Sequence, residues 1–326
     1  MTFTRRECLG ALTTTALTAA WPVAAQAPFP DKAVKIIVPL PPGSPPDVLG
    51  RLLADGLSKA WKQPVIVENR PGGTGSVGMQ ALARSVPDGH TAGIMFLTHT
   101  VLPELMGPLP YNTATDLAPV ANLVWLYNVL VVPASSSIQS VKDLVDSARR
   151  QPEALTYASG GNGSPAHLVG HTFAQVAGAK MLHVPFKGPA EAVAALIGNQ
   201  ISTMFATVPV AAPLVKAGRL RALAVTSPQR FPELPGVPTL AETGVQGLEV
   251  KEWEGLVLPA GTPKPIVERW NQDAFQVMAS PEAKARLAEL GMTVAAPNRS
   301  EDFGTLIRSE LDRWGQFVRS AGLKGS

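Results

Sequence analysis

Cysteine is nearly absent from this 326-residue chain: its single thiol, Cys8, excludes an intrachain disulfide framework and a thiolate metal cluster. Charge is also scarce. Lys and Arg number 28 and Asp and Glu 25, so charged residues make up 16% and the net charge is +3, too little to argue for a polyanion partner. The Trp and Phe residues are scattered with no basic cluster among them, so no footprint for nucleic acid exists. After the N-terminal region there is no apolar run of about 18 residues, the length that spanning a bilayer requires. Proline and glycine, by contrast, are plentiful at 31 and 29 residues. They stay short of the roughly 25–30% that marks low complexity, and read as punctuation between many short elements. With 45% hydrophobic residues, the length suits roughly two domains, each able to bury a core.

Residues 1–27 read as an export signal. Thr4-Arg5-Arg6-Glu7-Cys8-Leu9 precedes a mild apolar run from Leu9 to Ala20 and the small-residue end Val23-Ala24-Ala25-Gln26-Ala27. The arginine pair resembles a twin-arginine signal, although ordinary secretory signals also carry such pairs. Cleavage after Ala27 would leave Pro28 at the new N-terminus, so cleavage after Ala25 is an alternative. Either cut removes Cys8 and leaves a soluble periplasmic protein without cysteine.

From Val34 onward, short β-branched runs alternate with segments of helical period, the pattern of α/β units around a largely parallel sheet. The expected strands are Val34–Leu40, Val65–Asn69, Thr91–Leu97, Asn128–Pro133, Leu155–Ser159, Leu182–Phe186, Ile201–Ala206, Leu220–Thr226 and Glu254–Pro259. Helices are expected over Asp47–Ala60, Val141–Arg150, Pro165–Ala177, Pro189–Ile197, Pro265–Ala279, Pro281–Leu290 and Ser300–Ala321. Ser164-Pro165 and Ser280-Pro281 supply N-cap and N1 residues. No flexible linker interrupts the chain, so any domain boundary consists of ordered crossovers.

Two loops each follow a strand and open a helix: Pro39-Leu40-Pro41-Pro42-Gly43-Ser44-Pro45-Pro46-Asp47 and Ser159-Gly160-Gly161-Asn162-Gly163-Ser164-Pro165. A helix N-terminus leaves amides unpaired and carries about half a positive charge, and open α/β sheets bind ligands at such loops. One loop alone reads equally as a well-capped turn; two, in separate halves, favour a shared anion site. Gly73-Thr74-Gly75-Ser76-Val77-Gly78 is formally G-x-G-x-x-G, but Arg70-Pro71-Gly72 separates it from its strand and no acidic residue stands about 20 positions on. It does not support a dinucleotide site. His167 and His171 have metal-site spacing, yet Leu168 occupies the Glu position of H-E-x-x-H and no third ligand is in view. One is expected at the surface and one in the site or core. No G-x-S-x-G elbow surrounds Ser44, Ser76 or Ser164, so no nucleophile is assembled with a base.

Taken in order, the motifs resemble the substrate-binding proteins of tripartite tricarboxylate transporters, the TctC or Bug family. The matching segments include Ile36-Ile37-Val38-Pro39-Leu40-Pro41-Pro42-Gly43, Glu68-Asn69-Arg70-Pro71-Gly72, Pro87-Asp88-Gly89-His90-Thr91 and Leu109-Pro110-Tyr111. They continue through Gly161-Asn162-Gly163-Ser164, His183-Val184-Pro185-Phe186-Lys187-Gly188, Lys216-Ala217-Gly218-Arg219-Leu220 and Pro259-Ala260-Gly261-Thr262-Pro263. The resemblance implies a type II periplasmic-binding-protein fold: two α/β domains joined by two crossover segments with the ligand cleft between them. It divides the chain into domain 1 (28–127 and 251–326) and domain 2 (128–250).

The same resemblance implies a receptor, not an enzyme, that holds a small mono- or dicarboxylate and delivers it to the membrane subunits of a tripartite transporter. It brings no cofactor and no metal, and a monomer is expected. Gly43, Ser44 and Asp47 would form one wall; Ser159, Gly161, Asn162, Gly163, Ser164 and His167 the other; Thr98 and His99 the loop after the third strand. Three departures stand out. Ser44-Pro45-Pro46 stiffens the first loop and removes an amide. Ala206-Thr207 replaces an Asp-Asn pair, which argues against a ligand amine and leaves Thr207 as the polar contact. The apolar Phe96-Leu97-Thr98-His99-Thr100 leaves room for an aromatic or longer aliphatic acid. The alternatives are a receptor feeding a sensor system, or an enzyme acting on a carboxylate, which would need a catalytic dyad.

Overall fold

The computed structural model describes residues 29–248 and 251–323; the export signal, its two cleavage positions and Cys8 lie outside the described residues. The elements run β1 (Val34–Val38), α1 (Pro45–Trp61), β2 (Val65–Asn69), α2 (Ser76–Ala83), β3 (Thr91–Phe96), α3 (Thr98–Leu105) and β4 (Leu117–Leu126). There follow β5 (Asn128–Pro133), α4 (Val141–Arg150), β6 (Thr156–Ser159), α5 (Pro165–Ala177), β7 (Leu182–Pro185), α6 (Pro189–Ile197), β8 (Thr203–Thr207), α7 (Val208–Lys216) and β9 (Leu220–Val225). The last are β10 (Glu252–Pro259), α8 (Lys264–Met278), α9 (Pro281–Ala288), β11 (Met292–Val294) and α10 (Ser300–Ser320).

All nine expected strands form; the central ones, such as β3, β5 and β10, are buried on both faces, whereas the edge strands β2 and β7 are partly exposed. Two strands were not expected. In β4, Pro119 and Asn122 speak against a strand interior. The proline is tolerated because β11 covers only Val124–Leu126 of β4, leaving the strand edge open beside Pro119. Strand β11 is three residues long and has too little pattern to read. Helices α2, α3 and α7 were also missed; Pro103 and Pro213 stand inside α3 and α7. Gly78 shows why the G-x-G-x-x-G segment is glycine-rich: an added Cβ there would lie 2.8 Å from the Pro39 side chain and 2.9 Å from its Cα. The glycines permit close packing of α2 on the end of β1.

The strands form two sheets, ordered β11-β4-β10-β3-β1-β2 and β7-β6-β8-β5-β9. The expectation of a largely parallel arrangement needs correction, since both sheets are mixed. β1 is parallel to β2 and β3, and β6 to β7 and β8. However, β10 is antiparallel to β3 and β4, and β5 is antiparallel to β8 and β9. The physical reason is the route of the chain. β5 follows β4 of the other sheet with only Tyr127 between them, and β10 returns from β9, so each enters its sheet from outside the βα repeats. Hydrophobic pattern encodes burial, not strand direction.

One apolar cluster packs Leu49, Leu53 and Leu57 of α1 and Trp270 of α8 against the first sheet. Another packs α6 and α7 on the second sheet. The third runs between the two halves through Val101 and Leu105 of α3, Leu168 and Phe173 of α5, and Phe303 and Phe317 of α10. The halves thus share buried apolar surface on one side, while the two crossover strands begin side by side near the cleft. No helix among the described residues is long and apolar enough to cross a membrane.

Candidate ligand-binding site

Between the two sheets lies a cavity of about 430 Å³ at the N-terminal ends of four helices. Gly43 and Pro45 represent α1; Ser164, Pro165 and Ala166 represent α5; Pro189 represents α6; Thr207, Pro209 and Val210 represent α7. The crossover strands contribute Leu126, Asn128 and Glu252. Among the described residues no Lys, Arg or His lines the cavity. Any attraction for an anion therefore comes from helix-terminal amides and dipoles. Elsewhere the lining is apolar, with Val193, Met204, Phe205 and Leu290.

The α1 wall differs from its expected role. The amide of Gly43 lines the cavity but donates to Oδ2 of Asp47 at 2.9 Å. Asp47 is 2% exposed and also accepts from Arg51 Nε (2.9 Å) and Nη2 (3.0 Å) and from Asn69 Nδ2 (2.8 Å). Burial alone would raise its pKa, but these hydrogen bonds outweigh burial and hold the carboxyl below its ordinary value. Ser44 directs its hydroxyl to the Pro41 carbonyl at 2.7 Å. Pro45 and Pro46 have no amide, and the Asp47 amide bonds the Ser44 carbonyl. Asp47 and Ser44 thus brace the loop from behind, and α1 offers the cavity shape and dipole without a free donor.

The α5 loop is organised by a buried polar cluster. The Ser159 hydroxyl donates to the Gly161 carbonyl (3.0 Å), accepts the Gly161 amide (3.1 Å) and lies 2.7 Å from His183 Nε2. The Gly163 amide donates to His167 Nδ1 at 3.1 Å. The His167 ring is stacked on His183, with centroids 3.7 Å apart and planes 3° apart, and meets the edge of Phe317. Burial, followed by the charges of His183 and His171, pushes His167 down to about 3; burial pushes His183 down to about 4. Both rings are neutral near pH 7, which lets Nδ1 of His167 act as an acceptor. Neither His167 nor His171 is a surface residue: the first is buried and the second is half-buried against Phe317. Among the described residues no group of three His, Cys, Asp or Glu is arranged to hold a metal.

Ser159, Gly161, Gly163 and His167 therefore shape the loop; neither they nor Asn162 line the cavity. Gly163 has φ +72°, and a Cβ there would approach the Leu105 side chain of α3 to 2.5 Å. Ser164 does line the cavity. It is the N-cap of α5, yet its Oγ makes no cap bond and is buried without a partner. A cap hydroxyl ordinarily accepts an amide of the first turn, so Ser164 leaves both itself and those amides unengaged. Thr207 stands in the same relation to α7 and also makes no cap bond.

Thr98 and His99 are buried at the start of α3, away from the lining. His99 Nδ1 is 3.1 Å from both the amide and the carbonyl of Phe96, and burial pushes its pKa down to about 4. This turn anchors α3 to β3 and adds nothing to the cavity, whose apolar lining comes instead from residues such as Met204, Val210 and Leu290.

Two polar lining residues were missed, Asn128 and Glu252. They are the first residues of β5 and β10, and Asn128 Nδ2 donates to Glu252 Oε1 at 2.5 Å. Burial pushes the Glu252 carboxyl up to about 7. The available signal was the alternation Glu252-Trp253-Glu254 ahead of an apolar run, which places two acids on one strand face. The expected strand began at Glu254 and so left Glu252 out. The loss of a carboxylate at Ala206-Thr207 is thus not the whole charge balance of the cavity, since Glu252 lines it too.

The model of the tripartite tricarboxylate transporter family receptor, TctC, matches residues 49–323. The chain belongs to this family. It is 32% identical over 303 residues to protein BugT of Bordetella pertussis, covering 91% of each chain. Among solved structures it is similar to Rhodopseudomonas palustris Rpa4515 with adipate: TM-score 0.76, 32% identity, covering 90% of this chain and 98% of that one. It is also similar to MatC of Rhodopseudomonas palustris with bound malate: TM-score 0.73, 28% identity, covering 89% of this chain and all of that one. TctC proteins are periplasmic solute-binding receptors with a two-domain α/β fold, not enzymes. This TctC-family chain accordingly uses its buried Ser159–His183 pair to hold a loop.

Proposed function

We propose that this receptor captures a small mono- or dicarboxylate in the periplasm and delivers it to the membrane subunits of a tripartite tricarboxylate-type transporter. The observation that carries the reading is the convergence of the α5, α6 and α7 N-termini on one cavity that has no basic side chain. Unpaired first-turn amides, with the Ser164 hydroxyl and Thr207, are donors suited to a carboxylate. Adipate and malate in the two similar structures are both small carboxylates. The apolar remainder of the lining favours an aliphatic or aromatic acid over a polyhydroxylated one.

In this reading residues 28–127 and 251–326 form domain 1 and residues 128–250 domain 2, and the two close about the crossovers. Closure populates a surface for the transporter only because ligand binds the closed form better. Export before cleavage at Ala25 or Ala27 places a monomer in the periplasm. The test is a thermal-shift screen of the mature protein against adipate, malate, benzoate and neutral amides. Ligand at about 100 times its dissociation constant adds about 2.7 kcal/mol to stability. If the amides raise the midpoint and no carboxylate does, the reading is wrong.

A further inference from the structure

Glu252 places a carboxyl, 8% exposed, in a cavity toward which four helix N-termini point. An ionised carboxylate there would repel the anion that the helix termini attract, and it would stand without a cation. Among the described residues, the groups that share its surroundings are uncharged but for one: Leu126 of β4, Asn128 of β5, Leu290 before β11, and Ser164 and Thr207 on the same cavity lining. The exception is Glu254, two residues along the same strand face, 3% exposed, with Oε2 unpartnered. Burying an unpaired carboxylate costs several kcal/mol, and two close carboxyls resist ionising together. The Asn128 amide donates to Oε1, which makes Oε1 the carbonyl-like oxygen. Oε2 makes no hydrogen bond among the described residues and is the atom left to carry a proton.

We propose that Glu252 acts as a neutral acid in ligand capture, its carboxyl O–H donating to the ligand's carboxylate, so that binding takes up a proton from solvent. The inference rests on the carboxylate reading of the cavity and names the residue that selects for that class. Burial already pushes Glu252 up to about 7, and an anion beside it raises it further. The proton is therefore bound with the ligand above neutral pH and is already present below it. Affinity is then level in mild acid and falls by about tenfold per pH unit above the free-protein value.

The test uses adipate and 6-aminohexanoate, which have the same length and differ in one terminal group. Calorimetry of the mature protein at pH 6 to 8.5, in two buffers of different ionisation heat, should show adipate taking up about one proton at pH 8. In Glu252→Gln the amide still donates but does not titrate, so adipate should bind with a flat pH profile and no proton uptake. Adipate binding without uptake or pH dependence in the wild type would overturn the proposal. So would tight binding of 6-aminohexanoate that Glu252→Gln abolishes, since Glu252 would then be an ionised partner for an ammonium group. A ligand-free control separates the two readings: the infrared difference between wild type and Glu252→Gln at pH 6 should contain a protonated carboxyl band. If adipate binds and the band is absent, only the proton inference falls. If the band is present and neither adipate, malate nor benzoate binds, the carboxylate reading falls and the inference falls with it.

Discussion

The ring of His167 lies flat on that of His183, 3.7 Å between centroids, while its Nδ1 accepts the Gly163 amide that shapes the mouth of α5. Charging both rings would bring two cations into stacking contact, and charging His167 alone would remove the acceptor. Both pKa values are depressed in the folded protein, to about 3 and about 4, against about 6.5 in the unfolded chain. The native state therefore binds fewer protons, and this stability is present above pH 6.5 and lost as pH falls toward 4. Glu252, Glu254 and Glu310, whose folded values are all raised by burial, work in the opposite sense and lose stability as pH rises above about 4.5. Three buried histidines, His99 among them, each subtract stability between pH 7 and pH 5 against that opposing slope. His167→Asn, which keeps an acceptor near Nδ1, should take its share out of the melting-temperature slope; an unchanged slope would remove His167 from the account.

Gly163→Ala should destabilise the protein by about 1–3 kcal/mol in urea unfolding, since it combines positive φ with a close approach to Leu105. A larger side chain such as Val should act more strongly, and through α3 packing, not by filling the cavity. Leu105→Ala in the same chain should recover part of the loss caused by Gly163→Ala. Strict additivity of the two changes would show that the contact is not the cause.

Ser164→Ala removes a hydroxyl that has no partner in the unliganded protein. Its unfolding free energy should be unchanged or slightly raised, whereas carboxylate affinity should drop by about 1 kcal/mol, roughly fivefold. Calorimetric titration with adipate checks it; an unaltered affinity would exclude Ser164 from the ligand contacts.

Asp47→Asn keeps the shape of the α1 loop brace but removes the charge that Arg51 and the Gly43 amide engage. A loss of about 1–3 kcal/mol of stability is expected above pH 5. The difference from wild type should shrink as pH falls through the depressed native pKa, because protonation takes the same charge away. Paired denaturation curves at pH 7 and at a series of values below pH 3.8 measure this directly.

Val210→Trp fills the cavity from α7, where Val210 is partly exposed and has room to change. Ligand binding should be abolished while the melting temperature of the free protein moves by only a few degrees. Retained binding would relocate the site.

Local sequence was enough for the parts of this protein that rest on local physics. Buried strands such as Asn128–Pro133 are runs of β-branched residues. The helix at Pro165 opens with Ser-Pro, and the two Gly-containing loops lie where strands hand over to helices. The family motifs likewise follow from nearest neighbours in the chain. Strand direction did not, because burial pattern is the same whichever way a strand runs. Nor did the roles of Asp47, Ser159 and His167, since whether a polar side chain faces a ligand or a backbone amide depends on groups 4 to 24 positions away.

Glu252 and Asn128 mark that limit most clearly. They are 124 positions apart and meet only because both crossovers start at the same edge of the cleft. Composition shows a chain poor in charge, and the motifs pick out two loops that border the cavity. Only the folded arrangement decides that Glu252 lines the cavity and that burial raises its carboxyl there, because desolvation, and the lack of a facing cation among the described residues, are properties of a place in space.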